Sequence, residues 1–540
     1  MLIATPGRGR VRCPRWRGMS LGVLTAVAGA AGPAQAQERA YGFVYLIGTD
    51  TLGIERVSRP QPGVVVGDIH MRAQPRLEWT ATLAGPGQAT SLMLTAYRSG
   101  AADAPVLQRV SLTLDGDTVQ ADMSGPTGAA TKQRIGSTRT AFLLMNASAA
   151  MIDLALDRAR ATPAPVDTIP VFLTTGGQTV QSILRVWGDS ATWSIAGLET
   201  KLVLEGGRLR EAFVAQQNLR MRLVSGAAYA ALTLGAADYS APADAPYAAH
   251  EVMIPATGGH ELAATLTVPS AATGRAPAVV TITGSGPQDR DEYIPLVPGY
   301  RPFRQLADTL GRRGIATLRF DDRGTGSSTG SFAGATSADF ANDVRSAVRW
   351  LRSRPDIDAS KIFLVGHSEG GLIAPLVAAD DGALAGIVLL AGTAKTGLDI
   401  ITFQQRYAIE HDTSLAAPAK RDSAMRSASA AMDGLAKDPW MAFFLKHEPL
   451  EVARRVKTPT FVVQGASDQQ VTADQADMLA LALTTAGNRD VTVRVFPNLN
   501  HLFLYDPTGN PSHYTRLPSG RIGADVMGPV VDWLVLRATR

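Results

Sequence analysis

Three residues in the last third of the chain have the types and order of a nucleophile, an orienting acid and a base: Ser368, Asp468 and His501. Ser368 sits in Gly366-His367-Ser368-Glu369-Gly370, after the apolar run 362–365 and before Leu372-Ile373-Ala374-Pro375-Leu376-Val377. That pattern reads as a strand, a very tight turn and a helix. A serine on such a turn is held out at the top of a sheet on a strained backbone, and only small residues fit beside it. The helix then favours negative charge developing next to the serine oxygen. A serine hydroxyl needs a base to take its proton, and the base needs a carboxylate to orient it. Asp468 follows the strand-like run 460–464, 100 residues after the serine, and His501 follows the run 491–496, 33 residues further on. In a doubly wound hydrolase the partners lie at strand ends in the order Ser, acid, His. Asp474 competes with Asp468, and His513 and His367 compete with His501. His513 has no strand before it, and a side chain at 367 points away on so sharp a turn.

An oxyanion needs two backbone donors. The residue after the nucleophile, Glu369, supplies one. The other is expected from Thr283-Gly284-Ser285-Gly286-Pro287, a loop after the strand-like run 278–282, with Ser285 the first candidate and Gly286 the next. The loop matches neither G-x-x-x-x-G-K-[ST] nor G-x-G-x-x-G, which argues against a bound nucleotide. Without H-E-x-x-H or clustered histidines, no metal is expected, and the chemistry calls for no cofactor.

The elements around these residues predict an α/β fold. From residue 246 to 540, buried apolar runs alternate with helical periods, the mark of a mostly parallel, doubly wound sheet. Residues 397–456 interrupt that alternation with helical pattern and read as a cap. Phe403, Tyr407, Trp440, Phe443 and Phe444 in it are candidates for the wall of an acyl or alcohol pocket. Residues 37–245 read as a β-rich domain, with alternation on either side of Asp115-Gly116-Asp117 as its clearest hairpin. One helix is expected there, over 146–160, with Asn146 as its N-cap. The predicted shape is a curved sheet or half-barrel with no catalytic cluster, and the Pro/Ala stretch 241–249 links the two regions.

Residues 1–36 hold five arginines, no acid, the apolar run 21–31 and Pro33-Ala34-Gln35-Ala36. That is a secretory signal peptide with cleavage expected after Ala36, and it predicts a periplasmic or secreted protein. The apolar run is too short for a permanent membrane anchor. Without the segment, 47 basic residues face 48 acidic ones, so the sequence gives no ground for a nucleic-acid partner. Cys13, the only cysteine, lies in the same segment.

Gly284-Ser285-Gly286-Pro287-Gln288-Asp289-Arg290-Asp291-Glu292, Arg319-Phe320-Asp321-Asp322-Arg323-Gly324-Thr325-Gly326 and Gly366-His367-Ser368-Glu369-Gly370-Gly371 together resemble the EstD-type bacterial carboxylesterases of the α/β-hydrolase superfamily. More distantly they resemble the serine aminopeptidase and acetyl-esterase branches. The resemblance covers about residues 250–540. It implies a serine esterase acting on small-molecule esters of short to medium acyl chains, with Ser368, Asp468 and His501 as its triad. Thr283 stands where many relatives have histidine. The Asp-Arg-Asp and Asp-Asp-Arg groups read as ion-paired support under the loop. Two other readings stay open. One is a peptidase, amidase or thioesterase on the same residues, with Glu369 or Glu292 receiving an amine. The other is a periplasmic binding protein with a vestigial hydrolase core. Acyl length and oligomeric state are not specified by the sequence.

Overall fold

The computed structural model describes residues 40–539, apart from short breaks at 49, 73, 98–103, 126–129, 146–147, 162–163, 175–176, 236, 271–273 and 413–414. The expected signal peptide and the expected N-cap Asn146 lie outside the described residues.

The first half is a single 15-stranded sheet. Ala40–Ile47 lies at its middle, paired antiparallel with Asp50–Gln61 on one side and Leu219–Val224 on the other. Strands follow one another outward in both directions, to edges at Ala130–Gly136 and Phe142–Leu144. The hairpin of Val106–Asp115 and Thr118–Ser124 turns at Gly116, whose φ of 56° needs glycine. The sheet curls around the helix α1 (Ala149–Ala161), in which every residue from 149 to 156 is buried. The one acid in that buried stretch, Asp153, accepts from Tyr41 Oη at 3.1 Å and Arg208 at 2.7 Å, so the stretch can sit in a core. Ser137 Oγ and Thr179 Oγ1, 2.8 Å apart, join strands from the two flanks.

Two acids are buried in this half, Asp153 on the helix and Glu55. Glu55 is fully buried against the start of the helix. Its Oε1 accepts from Ser148 Oγ at 2.5 Å and Trp79 Nε1 at 3.2 Å, and its Oε2 from Tyr45 Oη at 2.7 Å and the Ala150 amide at 3.1 Å. Burial raises its pKa and these hydrogen bonds oppose the rise. A buried carboxyl persists when every lone pair is used and a helix N-terminus faces it.

The second half is built on eight strands: β1 (Tyr247–Pro255), β2 (Glu261–Pro269), β3 (Ala276–Ile282), β4 (Ala316–Phe320), β5 (Ile357–His367), β6 (Gly386–Leu390), β7 (Thr460–Gly465) and β8 (Val491–Phe496). Their order is β1-β2-β4-β3-β5-β6-β7-β8, antiparallel at β1, β2 and β4 and parallel from there on. In β3 and β5 adjacent residues serve different cores. Val280 and Leu364 pack toward α2 (Ser337–Arg352) and α3 (Glu369–Ala378), while Val279 and Phe363 pack toward the opposite face. Apolar residues in sequence, rather than alternation, are what a sheet covered on both sides requires. Between β6 and β7 the chain leaves the sheet to form the cap: α4 (Gly397–His411), α5 (Pro418–Leu435), α6 (Pro439–Lys446) and α7 (Pro449–Ala453).

The two halves touch through the Gly299 amide on Asp50 Oδ2 (2.9 Å), Thr515 Oγ1 on the Gln216 carbonyl (3.2 Å) and Tyr239 Oη on Asp289 Oδ2 (3.3 Å). No helix among the described residues is long and apolar enough to cross a membrane.

Candidate active site

The site is assembled at the carboxyl ends of β3, β5, β7 and β8. Ser368 ends β5 with φ 54° and ψ −114° and opens α3. A non-glycine residue in that conformation costs about 1–3 kcal/mol and persists only where its surroundings impose it. Here the surroundings are backbone. A Cβ on Gly366 would lie 2.0 Å from the Gly370 carbonyl oxygen, and one on Gly370 would lie 2.1 Å from that of Ile282. The glycines around the serine are therefore packing requirements of the turn.

Asp468, 2% exposed, lies three residues beyond β7. Its Oδ1 accepts the amides of Gln470 (2.7 Å) and Val471 (2.9 Å), and its Oδ2 accepts Gln464 Nε2 (2.9 Å). The remaining contact is His501 Nδ1, 2.7 Å from Oδ2. An ionised carboxylate so placed fixes the tautomer: Nδ1 donates and Nε2 is left with its lone pair. His501, 5% exposed, follows β8 through a loop tied by Asn500 Oδ1, which accepts the amides of Leu502 and Leu504. Asp474 instead forms an ion pair with Lys395 at 2.6 Å, and His513 contacts Thr508.

Ser368 and His501 border one cavity of about 380 Å³, together with Ser285 and Glu369. The Gly284 amide is committed to Glu292 Oε1 at 3.0 Å, which leaves Ser285 as the next amide along the loop. Gly286, the second candidate, does not border the cavity; at φ 90° it carries the turn that follows. The Glu369 amide belongs to the first turn of α3, where no earlier carbonyl is available to it.

The acidic and basic groups behind the loop form a support. Arg290 makes two hydrogen bonds to Asp321, at 3.0 and 2.9 Å, Arg319 pairs with Asp291, and Arg323 holds Asp343 at 2.6 and 2.8 Å. Asp322 accepts Thr283 Oγ1 and the Gln288 amide, both at 2.9 Å. Burial, with the Asp291 charge beside it, pushes Asp289 up to about 6.

The cap supplies Ile400, Ile401, Gln404, Trp440, Met441 and Phe444 to the cavity wall. Trp440 and Phe444 stack at 5.8 Å, four residues apart on the inner face of α6. Phe403, Tyr407 and Phe443 are not in the wall, contrary to expectation. Phe403 stacks on Tyr407 (6.1 Å), Tyr407 on His411 (4.0 Å) and Phe443 on His447 (5.1 Å). On α4 the i, i+4 row turned to the cavity is Ile400–Gln404, and the aromatic row is a different one.

Three side chains have roles that the sequence did not assign. Trp440 Nε1 donates to Glu369 Oε1 at 2.7 Å and Ser337 Oγ donates to the same atom at 2.6 Å, so the residue after the nucleophile holds the cap. Burial raises the pKa of the Glu369 carboxyl. His367 is engaged at both nitrogens, Nδ1 2.6 Å from Glu292 Oε1 and Nε2 3.0 Å from the His501 carbonyl oxygen, and so is not available as the base. The signal for Glu292 was its place directly after Asp289-Arg290-Asp291 in the loop that follows β3.

Residues 299–508 match a family model described as serine aminopeptidase, S33. The chain is 26% identical over 280 residues to Esterase EstD of Thermotoga maritima, covering 50% of this chain and 64% of that protein. It is 26% identical over 231 residues to Dipeptidyl aminopeptidase BIII of Pseudoxanthomonas mexicana, 42% of this chain and 30% of that protein. This chain thus spans less than two thirds of the length of either relative. Among solved structures it aligns with the Pyrococcus furiosus esterase Pf2001 at a TM-score of 0.39 and 17% identity, over 56% of this chain and 95% of that one. The strand order, the serine turn and these sequence relatives agree that the C-terminal half has the α/β-hydrolase fold.

Proposed function

We propose that the chain is an exported serine hydrolase that cleaves carboxylic esters of short to medium acyl length. The observation that carries this reading is the 2.7 Å contact of His501 Nδ1 with Asp468, on the same cavity as a serine held at φ 54°. Ser368 Oγ attacks the ester carbonyl carbon while His501 Nε2 takes its proton. The carbonyl oxygen becomes an oxyanion facing the amides of Glu369 and Ser285. The imidazolium, held by Asp468, then protonates the departing alcohol, and an acyl-enzyme remains. Water adds to the acyl carbon with His501 again as base, and the acid leaves as Ser368 recovers its proton.

Both acids proposed to hold an amine for an aminopeptidase are buried, and each has one oxygen already engaged. Glu292 takes two donors on Oε1, and Glu369 takes Ser337 and Trp440. That favours an ester over a peptide. The cavity volume and the Trp440–Phe444 wall support small acyl groups. Export rests on the basic and apolar pattern of residues 1–36, and a secreted product beginning at Gln37 is the expected result of N-terminal sequencing.

The test is hydrolysis of p-nitrophenyl esters from acetate to laurate by the wild type and by Ser368→Ala. Activity is expected to peak at short chains and to fall in the variant by about four to six orders of magnitude. Ester turnover that survives the substitution would refute the assignment. Turnover of aminoacyl amides in preference to every ester would move it to a peptidase.

A further inference from the structure

Glu292 is held at φ 55° and is 1% exposed. One of its oxygens, Oε1, receives both the Gly284 amide (3.0 Å) and His367 Nδ1 (2.6 Å). His367, 3% exposed, reaches the His501 carbonyl oxygen with Nε2 at 3.0 Å. The three contacts fall on the residue before the oxyanion donor Ser285, the residue before the nucleophile Ser368, and the base itself. One pair of side chains thus joins all three loops.

The geometry also counts protons. A carbonyl oxygen only accepts, so His367 Nε2 carries a hydrogen. The Nδ1–Oε1 line is 2.6 Å long and needs a proton as well, because two lone pairs facing each other at that distance repel. The pair therefore has no net charge, an imidazolium against a carboxylate.

We propose that Glu292 and His367 form a positioning pair, whose shared proton keeps the oxyanion loop, the serine turn and the base loop in one register. The inference rests on the reading of Ser368, Asp468 and His501 as the triad. The groups facing the pair are few. The His501 ring lies 5.0 Å away, with Asp468 behind it, and the Phe503 ring lies 6.2 Å away on the other side. The Tyr300 hydroxyl is close enough to Glu292 to feel its charge. Burial of His367 works against a charged ring, but the Glu292 carboxylate outweighs it and holds the ring's pKa above the usual imidazole range. The bridge is therefore complete below the ordinary imidazole value and is lost as pH rises through the elevated one. Loss of that proton turns Nδ1 into an acceptor facing an acceptor, and the base loop comes free. Activity then falls on the alkaline side.

The test uses the full chain, with ¹⁵N-labelled histidine, as wild type, Glu292→Gln and Glu292→Asp. The amide of Glu292→Gln keeps the shape but cannot neutralise an imidazolium. In the wild type both His367 nitrogens are expected to be protonated at about pH 7.5, and in Glu292→Gln only one. The Glu292→Gln kcat is expected to fall about 10- to 100-fold with little change in KM, and its alkaline limb to move to lower pH. Glu292→Asp, which keeps the charge, is expected to restore the doubly protonated ring and the alkaline limb. A singly protonated ring in the wild type would overturn the proposal. So would a Glu292→Gln enzyme with the wild-type pH profile, or one slowed equally at every pH with its ring unchanged. The nitrogen spectrum does not depend on turnover, and fluorophosphonate labelling of Ser368 reports separately on the triad, so the two readings fail in different measurements.

Discussion

Glu55 and Glu292 are both buried carboxylates, and the two halves of the molecule treat them differently. In the N-terminal sheet both oxygens of Glu55 are used, two donors to each. At the candidate active site Glu292 Oε1 takes two donors while Oε2 is buried without a partner. The backbone repeats the contrast. Among the described residues the non-glycine positions at positive φ are Ala196 and Asn218 in the first half, both at turns between strands. In the second half they are Glu292, Ser368, Ala391, Asn498 and Phe503. Ser368 donates its amide to Leu390, beside Ala391, and Asn498 and Phe503 flank His501. Glu292 and Ser368 both border the cavity at positive φ, and Glu292 keeps an unpartnered oxygen there, so strain and spare valence lie where they can serve a reaction.

Four substitutions test that contrast. The largest effect is expected from Gly370→Ala, because the new methyl meets the Ile282 carbonyl oxygen at 2.1 Å and backbone cannot step aside. A loss of about 3 kcal/mol or more is expected by denaturant titration. A stably folded Gly370→Ala with an active serine would show that the turn is less constrained than its geometry says. Glu55→Gln comes next. Either placement of its NH₂ turns it toward Trp79 Nε1 or the Ala150 amide, which are fixed donors. The cost should be about 1–3 kcal/mol in urea melts, with kcat/KM of the folded fraction unchanged. A large change in kcat/KM would mean that the first half is not separate from the chemistry.

Asp289→Asn should act in the other direction. The Asp289 carboxyl titrates near 6, above the ordinary 3.8, so the fold prefers its protonated form. The stability this gives is present in full below about pH 4 and is lost as pH rises to about 6. Asn keeps the acceptor for the Asp291 and Tyr293 amides without the charge. The variant is expected to be about 1 kcal/mol more stable than wild type at about pH 7.5 and no more stable at about pH 4, read from thermal melts at both values. An equal gain at both would rule out the charge as the cause. The smallest effect is expected from Trp440→Phe, which removes the cap's hydrogen bond to Glu369 and little volume. A rise in KM of about threefold for short esters with an unchanged melting temperature is expected, the size of one modest hydrogen bond.

Much of the second half was legible in the sequence, because in an α/β sheet the chemistry sits where the pattern changes. Runs 460–464 and 491–496 end in turn residues, and Asp468 and His501 follow them by a few positions. That fixes their location without any knowledge of packing. The Glu292–His367 contact spans 75 residues and depends on how a strained turn aims one side chain, which no local pattern encodes. The cap failed for a different reason. Helix α4 carries apolar residues around most of its circumference, so periodicity could not say whether Ile400 or Phe403 faces inward. The first half was readable hairpin by hairpin, and the helix expected over 146–160 is Ala149–Ala161, but the number of strands and the burial of that helix follow from long-range pairing.

Ala40–Ile47 and Leu219–Val224 are neighbours in the sheet although 15 strands of chain begin with one and end with the other. Among the described residues the first strand of the sheet thus waits for the last before its second edge is covered. A sheet completed in this way pays its loop-closure entropy late, and a long-range pairing of that kind is slow to form. It also enters and leaves at adjacent points, so the domain is a closed detour in the path of the chain. The second half follows the detour in the chain and commits no strand of its own to it.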